Sequence, residues 1–199
     1  MPPRHVADCR AGVRKYKVMT RRSLFALAPC ALTAFAAANV PRKAPEFVIK
    51  LPNGGQRLLT QFRGKVVILE FLLTTCPHCK DTSRIMTRLQ TEYGPRGLAC
   101  IGVAVNEDAI YKIPAYVNET GANFLVGFGD RDPSLALLQH PANKTFMVPR
   151  VAFIDRTGMI RAVRGGGGDD EFFKNEEQIM RSIIEPLLGP ARKAAPRKK

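Results

Sequence analysis

The segment that most restricts the fold is an almost uninterrupted apolar run at residues 66–73, followed closely by Cys76-Pro77-His78-Cys79. The run is rich in β-branched and aromatic residues, which predicts a strand buried on both faces. The helical spacing of apolar residues then predicts a helix from Pro77 to about Tyr93, with Thr74-Thr75 as its cap. The cysteine pair therefore lies where a buried strand ends and a helix begins.

Shorter patterns predict the remaining elements. Predicted strands cover residues 46–51, 57–60, 98–105, 123–127, 151–155 and 159–163, and predicted helices cover 108–119, 133–139 and 170–188. This order predicts a mixed α/β sandwich with a largely parallel central sheet. A chain of 199 residues with 45% apolar content suffices for one domain. We place it at residues 46–188, between a linker at 39–45 and a basic flexible tail at 189–199.

The amino end of the chain predicts export from the cytoplasm. Arg21-Arg22 precede an apolar stretch that ends in Ala36-Ala37-Ala38, a pattern that signal peptidases accept. The arginine pair resembles a twin-arginine signal, and a general secretory signal fits nearly as well. Met19 is well placed as the true start, so we assign residues 1–38 to an upstream segment and an export signal. The predicted location is the periplasm or cell envelope, with an uncleaved anchor as the alternative.

The net charge of +14 does not indicate a nucleic-acid-binding protein, because it is concentrated at the chain ends. Residues 1–38 carry +6 and residues 189–199 carry +5, which leaves +3 for the rest. Phosphate binding requires basic residues clustered on the folded surface. We therefore expect no nucleic-acid partner and interpret the tail as solubilising, with contact to anionic lipid or nucleic acid as the alternative.

The position of the cysteine pair favours redox chemistry. Free N–H groups and the positive dipole end of a first helical turn stabilise a thiolate at Cys76. Cys79 lies about one turn away, within reach of a disulfide. Pro77 suits the first turn, and a protonated His78 adds positive charge that favours thiolate over disulfide. Cys100 lies inside a predicted buried strand, where we interpret it as a small core residue.

Two further features accompany the pair. Glu70 is the only ionisable residue in the apolar run, so burial should raise its pKa. We interpret it as a proton acceptor for Cys79; an exposed carboxylate or one paired with Lys65 is the alternative. Val148-Pro149 enters a predicted buried strand, where proline suits a cis bond. A cis turn there would expose the backbone of Val148 to an extended substrate segment.

Taken together, these motifs resemble the thioredoxin-like superfamily, and the exported TlpA/ResA-like thiol–disulfide oxidoreductases fit best. The resemblance covers about residues 44–188 and is carried by residues 64–71, Cys76-Pro77-His78-Cys79, Val148-Pro149 and residues 153–158. It implies that Cys76 attacks and Cys79 resolves. It also implies that Glu70 is the buried acid and that Pro149 is cis. The implied fold has an amino-terminal hairpin and an inserted strand–helix element.

The resemblance implies partner proteins that carry thiols or disulfides. It also implies an upstream redox partner, for which a membrane-bound protein is one alternative. No bound cofactor is expected, because the two cysteines carry the electrons. Two other functions stay open. A peroxiredoxin-like peroxidase would need proline and a hydroxyl residue where this chain has Leu69 and Leu73. A copper-handling chaperone would use Cys76, Cys79 and His140, although a closed metal site needs more ligands.

Overall fold

The computed structural model describes residues 39–190, so the predicted export signal and nearly all of the basic tail lie outside the described residues. The strands are β1 Arg42–Lys43, β2 Val48–Lys50, β3 Gln56–Leu58, β4 Val66–Leu72, β5 Leu98–Ala104, β6 Leu125–Phe128, β7 Arg150–Ile154 and β8 Met159–Gly165. The α-helices are α1 Pro77–Tyr93, α2 Ala109–Thr120, α3 Arg131–Leu138, α4 Asp170–Lys174 and α5 Glu176–Leu188. Between residues 39 and 190, no helix has both the length and the apolar character needed to cross a membrane.

The strands form one mixed sheet in the order β1-β8-β7-β4-β5-β6-β2-β3. Strand β4 is central, parallel to β5 and antiparallel to β7, and β5 is also parallel to β6. The amino-terminal hairpin β2–β3 pairs antiparallel, and α2 with β6 forms the element inserted after β5. The predicted mixed α/β sandwich is confirmed, and its parallel part consists of β4, β5 and β6.

Every residue of β4 is buried, as the apolar run predicted. Because side chains alternate across a sheet, Leu69 and Phe71 join the core layer that contains Phe47. Val66 and Ile68 belong to the opposite layer, which α1 and α5 supply with Met86, Leu89, Met180 and Ile184. The same alternation puts Glu70 on the face of Ile68, beneath α1.

The chain departs from the predicted elements at both ends of the domain. The predicted helix 170–188 is two helices, because Asn175 leaves the helical conformation with φ −130° and ψ 34°. Its N–H still donates to the carbonyls of Glu171 and Phe172, which closes α4. Asparagine favours such ends because its side chain competes with helical hydrogen bonding. The segment predicted as a linker contains β1, which pairs with β8 at the sheet edge.

Candidate active site

The two cysteines lie at the junction of β4 and α1. Cys76, and not Thr74 or Thr75 as predicted, is the residue that caps α1: its backbone is extended and its Sγ accepts the N–H of Cys79 at 3.4 Å. Both cysteines are free thiols, so this is the dithiol form. A sulfur that accepts a helix N–H is better stabilised as the anion than as the thiol.

The two sulfurs differ in exposure. Cys76 is half-buried, whereas Cys79 is 0% exposed and belongs to a cluster that includes Leu72, Ala104 and Ile113. Burial, and then the nearby charge of Glu70, raises the pKa of the Cys79 thiol. Only Cys76 is therefore open to a sulfur from another molecule, while Cys79 is kept as a protonated thiol inside the protein.

Glu70 is 0% exposed, which excludes the alternative of an exposed carboxylate. Its Oε2 accepts the hydroxyl of Ser83 at 2.8 Å, and its Oε1 has no hydrogen-bond partner among residues 39–190. Burial raises the pKa of Glu70 well above its usual value, the charges of Glu176 and Cys76 raise it further, and the Ser83 bond opposes them. The carboxyl therefore favours its protonated form beside the buried thiol.

A second buried carboxyl, Glu176, begins α5 and is only 9% exposed. Its Oε1 accepts the hydroxyl of Thr82 at 2.5 Å. Burial and then the charge of Asp81 raise the pKa of Glu176 to about 7, against the opposing effect of the Thr82 bond. The sequence did not single out Glu176, because acidic residues are common in the first turn of any helix.

The raised pKa of Glu176 makes stability depend on pH. From its usual value of 4.5 up to about 7, the folded chain keeps a proton that the unfolded chain has released, so the free energy of unfolding falls as pH rises. We expect Glu176→Gln to stabilise the protein by up to about 3 kcal/mol at about pH 8 and to change little at about pH 4. Urea unfolding followed by circular dichroism measures both.

The neighbouring Glu177 is the matched control, since its hydrogen bonds to Arg88 and Arg181 lower its pKa. Glu177→Gln should therefore lower stability at about pH 8, the opposite sign. Loss of stability in Glu176→Gln at that pH would contradict the assignment of a raised pKa.

The Val148-Pro149 segment lies beside the cysteines. Val148 packs against the same buried cluster as Cys76, and the Val148–Pro149 bond is cis. The N–H of Gly166 donates to the carbonyl of Pro149 at 2.8 Å. Gly165 has φ +79°, and a Cβ there would collide with the Pro149 carbonyl oxygen, so glycine is required for this close approach.

The other residues predicted for the site are more peripheral. Pro77 and His78 are exposed in the first turn of α1. The His78 ring lies beside Phe173, with ring centroids 6.0 Å apart. Pro77 and His78 therefore lie on the exposed surface next to Cys76.

His140, the third ligand of the copper alternative, lies elsewhere. Its ring packs against Phe146 at 5.4 Å, and its Nε2 is 3.4 Å from the carbonyl oxygen of Lys144. In the described part of the chain, no three His, Cys, Asp or Glu side chains form a group that could hold a metal ion. Cys100 is buried and its thiol donates to the Met86 carbonyl at 3.5 Å, as suits a small core residue.

A pair of hydrogen bonds that the sequence did not indicate holds the loop before Cys76. The Thr74 N–H donates to Asn106 Oδ1, and Asn106 Nδ2 donates to Thr74 Oγ1, each at 3.1 Å. We expect Asn106→Ala to lower the free energy of unfolding by about 1–2 kcal/mol, because buried Thr74 loses both partners. Asn123→Ala, which removes exposed hydrogen bonds, should cost about 0.5 kcal/mol or less. Equal losses in urea titrations would contradict this role.

Comparisons with known proteins identify the family to which the chain belongs. The Redoxin family profile matches residues 39–181. Thiol-disulfide oxidoreductase ResA of Geobacillus thermodenitrificans is 28% identical over 67% of this chain and 74% of its own length. Protein DipZ of Mycobacterium bovis is 29% identical over 63% of this chain, but the chain spans only 18% of DipZ.

A solved structure, a thiol:disulfide interchange protein of the thioredoxin family from Chlorobium tepidum TLS, shares the fold. The superposition has a TM-score of 0.61 at 24% identity and covers 77% of this chain and all of the other. The chain therefore belongs to the Redoxin family, and it has the fold of thioredoxin-like proteins.

Proposed function

We propose that the chain exchanges disulfides with partner proteins outside the cytoplasm, with Cys76 as the attacking sulfur and Cys79 as the resolving sulfur. The observation that carries this proposal is the difference in exposure between the two thiols. Cys76 is half-buried and accepts a helix N–H, whereas Cys79 is fully buried above Glu70. An external disulfide meets Cys76 first, and Cys79 reacts only from within the protein.

In the reducing direction, the Cys76 thiolate attacks one sulfur of the partner's disulfide. A bond forms between Cys76 and that sulfur, and the partner's other sulfur leaves as a thiolate. The Cys79 thiol then loses its proton and attacks Cys76, which releases the partner's second thiolate. The partner gains two electrons, and the chain ends with a Cys76–Cys79 disulfide. The oxidising direction is the reverse of these steps.

Glu70 accepts the proton that Cys79 loses, because its carboxyl is buried with the thiol and its Oε1 has no other hydrogen-bond partner in the described chain. To do so, it must first release the proton that burial favours. Pro77 and His78 tune the stability of the dithiol form from the first turn of the helix. Val148 and Pro149 contact the partner chain next to Cys76, where Val148 offers its backbone for strand-like pairing.

The partners are proteins with an accessible disulfide or thiol pair, together with a redox partner, membrane-bound or not, that restores the active form. The paired arginines and the apolar stretch within residues 1–38 support export to the periplasm or cell envelope. Cell fractionation of the untagged chain tests this location. Recovery of the folded chain only with cytoplasmic markers would contradict export.

The function is tested by equilibrating the protein with glutathione buffers and trapping its thiols for mass spectrometry. A two-electron transition confined to Cys76 and Cys79 is expected, and its midpoint shows the direction: near about −120 mV for an oxidant and near about −270 mV for a reductant. Insulin reduction with dithiothreitol should accompany it. A pair that cannot be cycled would overturn the proposal.

A further inference from the structure

Two side chains from different helices, Ser83 and Tyr116, link Glu70 to the backbone of Cys79. The Ser83 hydroxyl, on α1, lies 2.8 Å from Glu70 Oε2 and 2.8 Å from the Tyr116 hydroxyl. Tyr116, on α2, donates its hydroxyl to the carbonyl oxygen of Cys79 at 3.0 Å. Glu70 and Ser83 are 0% exposed and Tyr116 is 2% exposed. Water therefore cannot form hydrogen bonds with these three side chains in place of the contacts between them.

The number of protons limits how these contacts can be satisfied. The hydroxyls of Ser83 and Tyr116 have one proton each. Three contacts need a proton, however: Glu70 with Ser83, Ser83 with Tyr116, and Tyr116 with the Cys79 carbonyl. The Cys79 carbonyl can only accept, so Tyr116 must donate to it. If the Ser83–Tyr116 contact is also to be a hydrogen bond, Ser83 must donate to Tyr116, and the Ser83–Glu70 contact then needs a proton on Glu70 Oε2. All three contacts are hydrogen bonds only when the carboxyl of Glu70 is protonated.

Ionisation of Glu70 changes the group to which Ser83 donates its proton. A carboxylate only accepts, and charge-assisted bonds are about twice as strong as neutral ones, so Ser83 turns its proton to Glu70. Ser83 Oγ then has no proton for Tyr116 and becomes a second acceptor for the Tyr116 proton, in competition with the Cys79 carbonyl, so the hydrogen bond to that carbonyl weakens. The hydrogen bond on the backbone of Cys79 is thus strengthened or weakened by a proton on Glu70.

We propose that Ser83 and Tyr116 are positioning residues that form a reversible hydrogen-bond chain, through which proton uptake by Glu70 strengthens the Tyr116 bond to the carbonyl of Cys79. This inference rests on the proton-accepting role of Glu70 proposed above. In the reducing direction, the proton that Glu70 Oε1 takes from Cys79 reaches Ser83 by a half-turn of the carboxyl group, and the chain is then in its fully bonded arrangement as the new disulfide forms. The same proton would thus restrain the backbone of the resolving cysteine, Cys79, through the hydrogen bond from Tyr116.

Other titratable groups also face Glu70. Cys76 and Cys79 lie on the α1 side, Cys100 is on β5, and Glu176 begins α5. Glu176 has its own titration near about 7, so the measurements are made in wild type and repeated in Glu176→Gln. A change that persists in both does not come from Glu176, and the labelled carboxyl signal of Glu70 then shows whether it comes from Glu70.

The test uses nuclear magnetic resonance on the full chain. Cys79–Lys80 is the only Cys–Lys pair in the sequence, so carbon-13 in cysteine carbonyls and nitrogen-15 in lysine select the Cys79 carbonyl alone. Labelled glutamate carboxyls report Glu70, assigned by the signal lost in Glu70→Gln. In wild type, the Cys79 carbonyl should shift with the same pH midpoint as the Glu70 carboxyl.

Tyr116→Phe keeps the ring and removes the hydroxyl, so Glu70 should still titrate while the Cys79 carbonyl no longer follows it. Ser83→Ala breaks the chain from the other side and should raise the Glu70 midpoint by about one pH unit, since the ionised form loses the stronger bond. Thr120→Val is the matched control: it removes a buried hydroxyl that bonds to the Tyr116 carbonyl and should leave the coupling intact.

A Cys79 carbonyl that follows Glu70 equally in wild type, Tyr116→Phe and Ser83→Ala would overturn the hydrogen-bond chain, because only the field of the charge would then be acting. That result is distinct from failure of the proposed function, in which Glu70→Gln leaves the resolution step unchanged whether or not the carbonyl signals are coupled.

Discussion

Cys79→Ser should hold the chain in a stable mixed disulfide between Cys76 and its partner, because the sulfur that releases the partner is missing. Cys76→Ser removes the only half-exposed sulfur of the pair and should lower disulfide reduction by about 1,000-fold or more, as loss of an enzyme's nucleophile does. Non-reducing gel electrophoresis with a disulfide-containing substrate, followed by mass spectrometry of the linked peptide, measures the first result. Insulin reduction measures the second.

Cys100→Ser is the matched control for both variants, since Cys100 is buried in the core and donates to the Met86 carbonyl. It should neither trap a partner nor lose activity beyond what a change in stability explains. Trapping by Cys76→Ser instead of Cys79→Ser would show that the roles of the two sulfurs are reversed.

The centre of the fold was predictable because its signals are local. The buried strand, the cysteine pair and the helix are consecutive in the sequence, so β4 and α1 agree with the predicted segments almost to the residue. The isolation of Glu70 in an apolar run also predicted its burial, because a strand buried on both faces gives an acid no route to water.

The contacts of Glu70 were not predictable in the same way. Ser83 is four residues after Cys79, so helical spacing alone would have placed both on one face of α1. Tyr116 is different: its hydroxyl meets Ser83 and the Cys79 carbonyl only because α2 packs against α1, 33 and 37 residues further along the chain. A tyrosine in a helix is usually an apolar core residue with a polar tip, and the sequence does not reveal what that tip contacts.

The residue that caps α1 is not the one that residue preferences for helix caps predicted. Threonine is a common cap residue, which favoured Thr74 and Thr75. Instead, Thr74 is held by Asn106, and the sulfur of Cys76 takes the N–H of Cys79. The residue that we propose as the attacking sulfur thus occupies the position with the free helix N–H groups.

Glu70→Gln should change catalysis and stability in opposite directions. Without a carboxylate to accept the Cys79 proton, release of the partner should slow by about 100-fold or more, while attack by Cys76 changes little. Stopped-flow measurement of single turnovers separates the two steps. Because burial raises the pKa of Glu70, the folded wild type loses stability as pH rises above the usual carboxyl range. The glutamine variant should therefore be more stable than wild type at about pH 8.

Glu46→Gln is the control for the removal of a carboxylate, since Glu46 is bonded to Thr60 near the start of the domain and its pKa is lowered. It should leave both catalytic steps unchanged and should not stabilise the protein at alkaline pH. A Glu70→Gln variant that is more stable yet resolves the mixed disulfide at the wild-type rate would show that Glu70 is a buried acid without a part in proton transfer. A purely structural role for Glu70 cannot produce a variant that is more stable and yet resolves the mixed disulfide more slowly. That combination requires that burial of the acid lower the stability of the protein while the acid serves the reaction.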